Sequence, residues 1–244
     1  MLPKIQIDFF VPCFVDQCFP QSAMNAVRVL EFYGCEVHYH QNQTCCGQPA
    51  FNAGFWPEAQ EVAEKFIGEF NNDRYVVVLS SSCTGMIKNY YADLFQNSSL
   101  QNAWKQIKKN TFEFADFLVK VLKVDTSNMR FDASITYHDA CSALRECNIY
   151  EEPRKLLQPI QGIEWKEMEK NRTCCGFGGT FAAKYEPISV GMGDQKCIEA
   201  EKTGAEFLVS ADLSCLLHLK AYLEKKNSSM KVMHLADILV EGIR

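Results

Sequence analysis

Short apolar runs alternate with amphipathic segments along the first half of the chain. Three runs rich in β-branched and aromatic residues predict strands, over residues 5–11, 36–40 and 75–79. Between them, apolar residues at helical spacing predict a helix over 20–33 that ends at Gly34, and a second helix over 57–70. A further helix is predicted to begin near Cys83. Strands that alternate with helices are typical of parallel βα units.

The second half of the chain repeats this order of elements. Its apolar runs predict three more strands, over residues 135–138, 163–166 and 207–209. Short segments also match in sequence: residues 34–37 (GCEV) resemble residues 162–165 (GIEW), and residues 114–119 (FADFLV) resemble residues 235–240 (LADILV). Matches in the middle and near the end of both halves indicate a duplicated domain.

The duplication predicts both the fold class and the domain organisation. We expect an α/β protein with two Rossmann-like domains, each built on a parallel sheet and related to the other by pseudo-two-fold symmetry. The N-terminal domain is predicted to span residues 1–125, and the C-terminal domain residues 131–244. A length of 244 residues suits two domains, and a hydrophobic content of 47% is sufficient for their cores.

Eight of the twelve cysteines occupy corresponding positions in the two halves. Each half has one cysteine, then a Thr-Cys-Cys-Gly segment, then a last cysteine. The first set is Cys13, Cys45, Cys46 and Cys83, and the second set is Cys141, Cys174, Cys175 and Cys215. The first gap is 32 positions in one half and 33 in the other, and the last gap is 37 and 40. Because these cysteines follow predicted parallel strands, we expect each set to converge at the carboxyl edge of its sheet.

Four converging thiolates are typical ligands of a soft metal, and above all of an iron–sulfur cluster. Adjacent cysteines suit a single zinc ion poorly, because zinc ligands are usually separated by two or more residues. We therefore predict up to two clusters, most simply [4Fe–4S], with all eight cysteines as ligands. Zinc in one pocket stays an alternative, as do inert buried thiols or disulfides. Gly47 and Gly176 lack a Cβ, which allows a sharp turn or a close approach to the cluster.

The remaining cysteines do not repeat in register. Cys35 and Cys197 lie in apolar segments and are predicted core residues. A ligand role for two others stays open, because they follow the first ligand at unequal offsets: Cys18 and Cys147. His138 and His218 could line the second set, where packing beside the ligands is favoured over ligation. No residue is predicted to be catalytic.

Composition narrows the class of protein. The net charge of −5 and the pI near 5.6 come without a basic stripe, which argues against nucleic acid as a partner. The first residues lack the apolar core of a signal peptide, and no apolar run approaches the length of a membrane span. We therefore expect a cytoplasmic protein, where repeated cysteines more often bind metal than form disulfides. No flavin or nicotinamide fingerprint is present.

The duplicated Cys…Cys-Cys-Gly…Cys pattern resembles the cysteine-rich "CCG" domain. That domain occurs in heterodisulfide reductase, in the iron–sulfur subunits of glycolate oxidase and anaerobic glycerol-3-phosphate dehydrogenase, and in lactate-utilisation proteins. Three segments are most similar to the lactate-utilisation branch: residues 45–54 (CCGQPAFNAG), 174–181 (CCGFGGTF) and 232–239 (VMHLADIL). The resemblance extends over essentially the whole chain.

This resemblance implies an iron–sulfur, electron-transferring oxidoreductase subunit of a cytosolic system that oxidises L-lactate to pyruvate. Its partners would be a ferredoxin-like iron–sulfur protein and a third, smaller subunit. In heterodisulfide reductase each motif ends in Cys-x-x-Cys, whereas here Ser80 and Asp212 stand at the place of the extra cysteine. The departure favours a four-thiolate cluster, or one completed by oxygen. A heterodisulfide-reductase-like thiol/disulfide catalyst and a zinc-stabilised scaffold stay open as alternatives.

Overall fold

The first half of the chain forms a four-stranded, all-parallel sheet in this computed structural model, which describes residues 4–96 and 98–243. The strands follow the order β2-β1-β3-β4 and have these bounds: β1 (Ile5–Phe10), β2 (Cys35–His38), β3 (Tyr75–Val78) and β4 (Thr111–Glu113). Apolar side chains of β1 and β3 are buried in succession, among them Phe9, Phe10 and Val77. A central parallel strand is covered on both faces, which explains why these runs are continuously apolar.

Helices connect the strands of this first unit. Their bounds are α1 (Cys13–Cys18), α2 (Pro20–Phe32), α3 (Gln48–Ala53), α4 (Trp56–Phe70), α5 (Ser81–Gly85), α6 (Tyr91–Leu94), α7 (Gln101–Asn110) and α8 (Phe114–Lys120). A π-helical turn, Met86–Tyr90, joins α5 to α6. Helices α2 and α4 agree with the prediction to within one residue at each end. Proline occupies the first or second position of both helices, where its missing N–H is not needed.

The second half forms another four-stranded parallel sheet with the same topology, β6-β5-β7-β8. Its strands are β5 (Arg130–Tyr137), β6 (Gln161–Trp165), β7 (Phe207–Ser210) and β8 (Lys231–His234). Its helices are α9 (Cys141–Glu146), α10 (Glu151–Leu157), α11 (Thr180–Lys184), α12 (Glu186–Glu201), α13 (Leu213–Lys225) and α14 (Leu235–Gly242). The predicted duplicated α/β fold of Rossmann type is therefore confirmed. Strand β5 begins five residues before the predicted strand, because its first residues are partly exposed and carry no apolar run.

The described residues divide into two compact units between Leu122 and Lys123. The predicted domain limits of 1–125 and 131–244, and the pseudo-two-fold relation, stay predictions. Residues 1–3 and 244, at the outer limits of those domains, lie outside the described residues. Among the helices of the described part of the chain, none combines the length with the apolar composition that a bilayer crossing needs.

The sheet order creates the same structural feature in each unit. Strand β1 lies between β2 and β3, and strand β5 lies between β6 and β7. The chain therefore reverses its direction of winding beside β1 and β5, and ligands of open α/β sheets bind at the carboxyl ends of the strands at such a switch point. Here the strands β1 and β3 lead to Cys13 and Cys83, and β5 and β7 lead to Cys141 and Cys215. The topology thus brings the first and last cysteine of each set together.

Candidate metal centres

The first pocket consists of Cys13, Cys45, Cys46 and Cys83. Cys13 begins α1, Cys83 lies in α5, and the adjacent pair lies in the loop before α3. The sulfur atoms of Cys46 and Cys83 are 3.3 Å apart. Hydrogen bonds also join Cys13 to Cys45 and Cys45 to Cys46. Cys13 is exposed, Cys45 is half-buried, and Cys46 and Cys83 are buried. The four thiols therefore form a continuous series from the surface to the core.

The second pocket consists of Cys141, Cys174, Cys175 and Cys215. Cys141 begins α9, Cys215 lies in α13, and the pair lies in the loop between β6 and α11. The sulfur atoms of Cys175 and Cys215 are 3.0 Å apart, and hydrogen bonds join Cys141 to Cys174 and Cys174 to Cys175. Cys175 and Cys215 are buried, and the other two are half-buried. The structure thus brings together the two sets of four cysteines that the repeat predicts.

In the first pocket, one sulfur is stabilised as a thiolate by its neighbours. Hydrogen bonds from Cys13 and Cys46 lower the pKa of Cys45 to about 3, and the backbone N–H of Gly47 donates to the same sulfur over 3.4 Å. The same bond to Cys45, together with burial, raises the pKa of Cys13. Hydrogen bonds with Cys45 and Cys83, followed by burial, raise the pKa of Cys46. A metal ion would replace these shared protons, since it binds the deprotonated form of each thiol.

The second pocket has the same electrostatic pattern. Hydrogen bonds from Cys141 and Cys175 lower the pKa of Cys174 to about 2, and the Gly176 N–H donates to its sulfur over 3.4 Å. Hydrogen bonding to Cys174 raises the pKa of both Cys141 and Cys175. The hydrogen bond with Cys175 lowers the pKa of Cys215, but burial together with the charges of Asp212 and Cys174 outweighs it and the net shift is upward. In each pocket the first cysteine of the adjacent pair is therefore the anionic one.

The glycine after each cysteine pair has a left-handed backbone, with φ of +86° at Gly47 and +92° at Gly176. Both glycines also lie close to a following helix. A Cβ at Gly47 would lie 3.1 Å from the Ala59 carbonyl oxygen, whereas one at Gly176 would lie 2.7 Å from the Ser189 carbonyl oxygen. The glycine thus permits the turn and the close packing of the cysteine loop on its helix, α4 or α12.

Gly176→Ala is expected to destabilise the protein more than Gly47→Ala. Both substitutions place an L side chain in a left-handed conformation, which costs roughly 1–2 kcal/mol. Gly176→Ala adds a clash with Ser189, and overpacking of this kind costs roughly 1–3 kcal/mol more. Gly68→Ala is the control, because it lies inside α4 with open space around it and should stabilise by roughly 0.5–1 kcal/mol. Urea unfolding measures all three, and equal losses at Gly47 and Gly176 would contradict the packing argument.

His138 lies directly after β5 and is fully buried beside the second pocket. One of its ring nitrogens and the sulfur atoms of Cys175 and Cys215 all lie within 4.8 Å of one another. Burial and then the charge of Lys196 lower the pKa of His138 to about 3, so the imidazole is neutral. His218 instead packs against the ring of Tyr222, with a centroid distance of 4.9 Å. Of the two histidines that the sequence places near this pocket, His138 is thus the one whose ring nitrogen groups with two of the sulfur atoms among the described residues.

Comparison with known proteins identifies the family. Residues 7–88 and 135–220, which include all eight pocket cysteines, each match the family described as the cysteine-rich domain, CCG. The chain belongs to the cysteine-rich domain family. It is 38% identical to lactate utilization protein A of Halalkalibacterium halodurans, over 96% of both chains. It is 35% identical to lactate utilization protein A 2 of Bacillus cereus, over 98% of this chain and 99% of the relative.

A solved structure supports the fold of the two cysteine-rich domains. The crystal structure of a hypothetical protein from Helicobacter pylori aligns with a TM-score of 0.65 and 10% sequence identity, over 99% of this chain. The chain spans about half of that protein's length, 49%. At this level of identity, the likeness concerns the fold alone.

A buried lysine that the sequence analysis did not identify holds the cysteine loop of the second domain in place. Lys196 is 1% exposed, and its Nζ donates to the carbonyl oxygens of Lys170 and Asn171, just before the cysteine pair. Burial lowers the pKa of Lys196 to about 8, although the nearby Cys175 opposes the shift. The first domain contains a matching contact, from Lys65 to the Asn42 carbonyl oxygen. Asn42 and Asn171 each lie three residues before a cysteine pair, so the sequence does contain a signal for these lysine contacts.

A buried ion pair holds the strand end that carries His138. Arg154 binds both carboxylate oxygens of Asp139 at 2.9 Å, and its guanidinium lies 3.9 Å from the centre of the Tyr150 ring. Both partners of the pair are buried. Because Asp139 lies between His138 and Cys141, this pair fixes the backbone that places an imidazole and a thiol at the second pocket.

Two oxygen-bearing residues stand where heterodisulfide reductase has an extra cysteine. Ser80 Oγ lies 2.9 Å from Ser82 Oγ, and Asp212 Oδ1 accepts a hydrogen bond from the Ser214 N–H over 3.1 Å. Asp212 therefore caps α13, and its negative charge contributes to the raised pKa of Cys215. Asp212 therefore stabilises the start of α13 beside the pocket. Metal ligation by Ser80 or Asp212 stays an open question for experiment.

The other cysteines lie outside the two groups of four. Cys35 and Cys197 are buried in the core, as predicted, and burial raises the pKa of Cys35 to about 11 and that of Cys197 to about 12. Cys18 ends α1 and is exposed, and Cys147 follows α9 and is half-buried. A ligand role for these last two stays open.

The side chains of both pockets fit a soft metal or an iron–sulfur cluster. Each pocket offers four thiols within one hydrogen-bonded group, including one that is already anionic. The second pocket adds a buried imidazole beside two of its thiols. Thiolate donors select iron–sulfur clusters, zinc or copper(I) over hard cations, and they suit the cluster that the family resemblance implies.

Proposed function

We propose that this protein binds one iron–sulfur cluster in each cysteine-rich domain and transfers electrons within a system that oxidises L-lactate to pyruvate. The single observation that carries the proposal is the pair of matching four-thiol pockets at the switch points of the two sheets. The relatives named lactate utilization protein A, similar over nearly their full length, support the substrate. A bound cluster would supply reversible one-electron chemistry.

The protein's own residues would hold and tune such a cluster. Cys45 and Cys174 would bind first, because they are anionic at neutral pH. The N–H groups of Gly47 and Gly176 would keep donating to those sulfurs, and hydrogen bonds to ligand sulfur raise the reduction potential of a cluster. The buried cysteines of each pocket would limit the access of water, while the exposed Cys13 leaves one side of the first pocket open to a redox partner.

The proposed partners follow from the same resemblance. A ferredoxin-like iron–sulfur subunit and a third subunit would complete the system, and the chain would act in the cytoplasm. We assign substrate binding to a partner, because the pocket thiols would be occupied as metal ligands and the nearby Lys196 ammonium already donates to backbone carbonyl oxygens. A zinc-stabilised scaffold is the second candidate, and the mixed nitrogen and sulfur group around His138 favours it for the second pocket.

Anaerobic loading of the full-length chain tests this proposal. After incubation with ferrous iron and sulfide, we expect two clusters per chain by iron and sulfide analysis. Mixing the loaded chain with its two partner subunits and L-lactate should then reduce the clusters, which is detected by EPR. A chain that retains only zinc would support the scaffold. Clusters that stay oxidised with lactate, but are reduced when a thiol is added, would support the thiol/disulfide catalyst.

A further inference from the structure

We infer that His138 is a nitrogen ligand of the metal in the second pocket, so that the two pockets hold chemically different metal centres. The inference rests on the proposal that the pockets bind metal, and it adds a donor that distinguishes them. Its basis is the position of a buried imidazole beside two thiols and the phenylalanine that stands at the corresponding place in the first pocket.

The environment of His138 leaves its ring without a partner. The residue is 0% exposed, and neither Nδ1 nor Nε2 has a hydrogen-bond partner within residues 4–96 and 98–243. A neutral imidazole carries one donor and one acceptor nitrogen, and buried polar groups are nearly always paired. A ring nitrogen within 4.8 Å of the sulfurs of both Cys175 and Cys215 can share one metal ion with them. Ligation would satisfy the acceptor nitrogen.

The first domain places an apolar ring at the same point of the repeat. Phe10 lies three residues before Cys13, and His138 lies three residues before Cys141. Both residues have the same register with the neighbouring strand. Phe10 lies opposite Val78, five residues before Cys83. His138 donates its N–H to the Val209 carbonyl oxygen and so lies opposite Ser210, five residues before Cys215.

Phe10 packs in the core cluster that contains Cys46 and Cys83. A phenyl ring cannot bind a metal, whereas an imidazole can. At this position the second pocket therefore has a possible metal donor and the first has none.

The charged neighbours of His138 are occupied by other contacts. The Lys196 ammonium faces the imidazole but donates to backbone carbonyl oxygens of the cysteine loop. The adjacent Asp139 is bound on both oxygens by Arg154. The sulfur atoms of Cys175 and Cys215, within 4.8 Å of one ring nitrogen, are the donors with which the ring could share a metal ion.

A mixed centre would have a distinct redox role. Replacement of thiolate by neutral imidazole removes negative charge from an iron–sulfur centre and raises its reduction potential, as in Rieske centres. The second pocket should therefore be reduced at a higher potential than the first. Electrons that enter the chain would collect at the second pocket before they leave.

Pulsed EPR of the full-length, iron- and sulfide-loaded chain tests the ligand directly. We expect a strong ¹⁴N coupling that changes to the ¹⁵N pattern when histidine alone is ¹⁵N-labelled. The coupling should be lost in His138→Gln and retained in His218→Gln, the matched control. A ¹⁴N coupling that remains unchanged in the ¹⁵N-histidine chain, or a coupling that persists in His138→Gln, would overturn the inference. The wild-type labelling needs no variant, so misfolding of His138→Gln cannot decide the result.

Cobalt(II) provides a readout that is independent of cluster assembly. Titration of the metal-free chain with Co²⁺ should show an affinity loss of at least about tenfold for His138→Gln, with no loss for His218→Gln. If the chain binds Co²⁺ in this histidine-dependent way but assembles no cluster, the proposed electron-transfer function fails and the ligand assignment holds. If clusters assemble and L-lactate reduces them in the presence of the partner subunits, but neither measurement responds to His138, the function holds and the ligand assignment fails.

Discussion

Replacing both Cys46 and Cys175 by alanine is expected to abolish iron binding and, with it, lactate-dependent electron flow in the assembled system. Each residue is the buried member of its pair and hydrogen-bonds to two other thiols of its pocket. Each substitution therefore removes a thiol that links two others of its pocket. Metal-binding free energy is coupled to folding, so the metal-free variant should also unfold at a lower temperature than the loaded wild type.

The single variants separate the two pockets. Cys46→Ala should lose the iron of the first pocket and retain that of the second, and Cys175→Ala should do the reverse, because the two pockets share no ligand. Each should therefore keep about half of the wild-type iron while losing electron flow if the clusters act in series. Iron and sulfide analysis together with EPR measures the retained centre.

Cys35→Ala is the matched control for this experiment. Cys35 is buried to the same degree as Cys46 but lies in β2, away from the pocket. Its replacement should cost roughly 1 kcal/mol of stability, as for the loss of one buried methyl-sized group, and leave the iron content unchanged. Full iron content in Cys46→Ala, or iron loss in Cys35→Ala, would show that the assigned ligands are wrong.

The sequence predicts most of the sheet but not its last strand in each half. Strands β1 and β3 are recognisable because they are buried on both faces and therefore continuously apolar. Strand β4 has three residues, two of them polar, and β8 begins with Lys231 and ends with His234. These edge strands are defined by pairing with β3 and β7, and such contacts leave little trace in a short polar segment.

The sequence likewise predicts some residues of the candidate site but not others. The repeat reveals all eight pocket cysteines, because corresponding ligands recur at nearly equal spacing. It also shows that His138 stands near the second pocket, but not that its ring is buried without a partner, which depends on side chains of several elements. The Asp139–Arg154 pair could not be predicted, since its two residues lie 15 positions apart with no pattern that connects them.

Arg154→Met is expected to cause a large loss of stability. The substitution retains much of the side-chain volume but leaves the buried Asp139 carboxylate without its partner, which costs roughly 3–5 kcal/mol. Burial disfavours the guanidinium charge, but the hydrogen bonds and charge of Asp139 outweigh it and raise the pKa of Arg154. The Arg154 guanidinium therefore stays charged at every pH at which the protein can be studied.

Arg130→Met is the matched control, because Arg130 also pairs with an aspartate, Asp132, at 2.8 Å. That pair is exposed, with 68% and 62% of the two side chains accessible, and its loss should cost no more than about 1 kcal/mol. Urea unfolding of the two variants compares the same substitution in a buried and an exposed pair. Because Asp139 lies between His138 and Cys141, Arg154→Met should also weaken metal binding in the second pocket and spare the first. Equal stability losses in the two variants, or equal metal losses in the two pockets, would show that the buried pair does not position the second site.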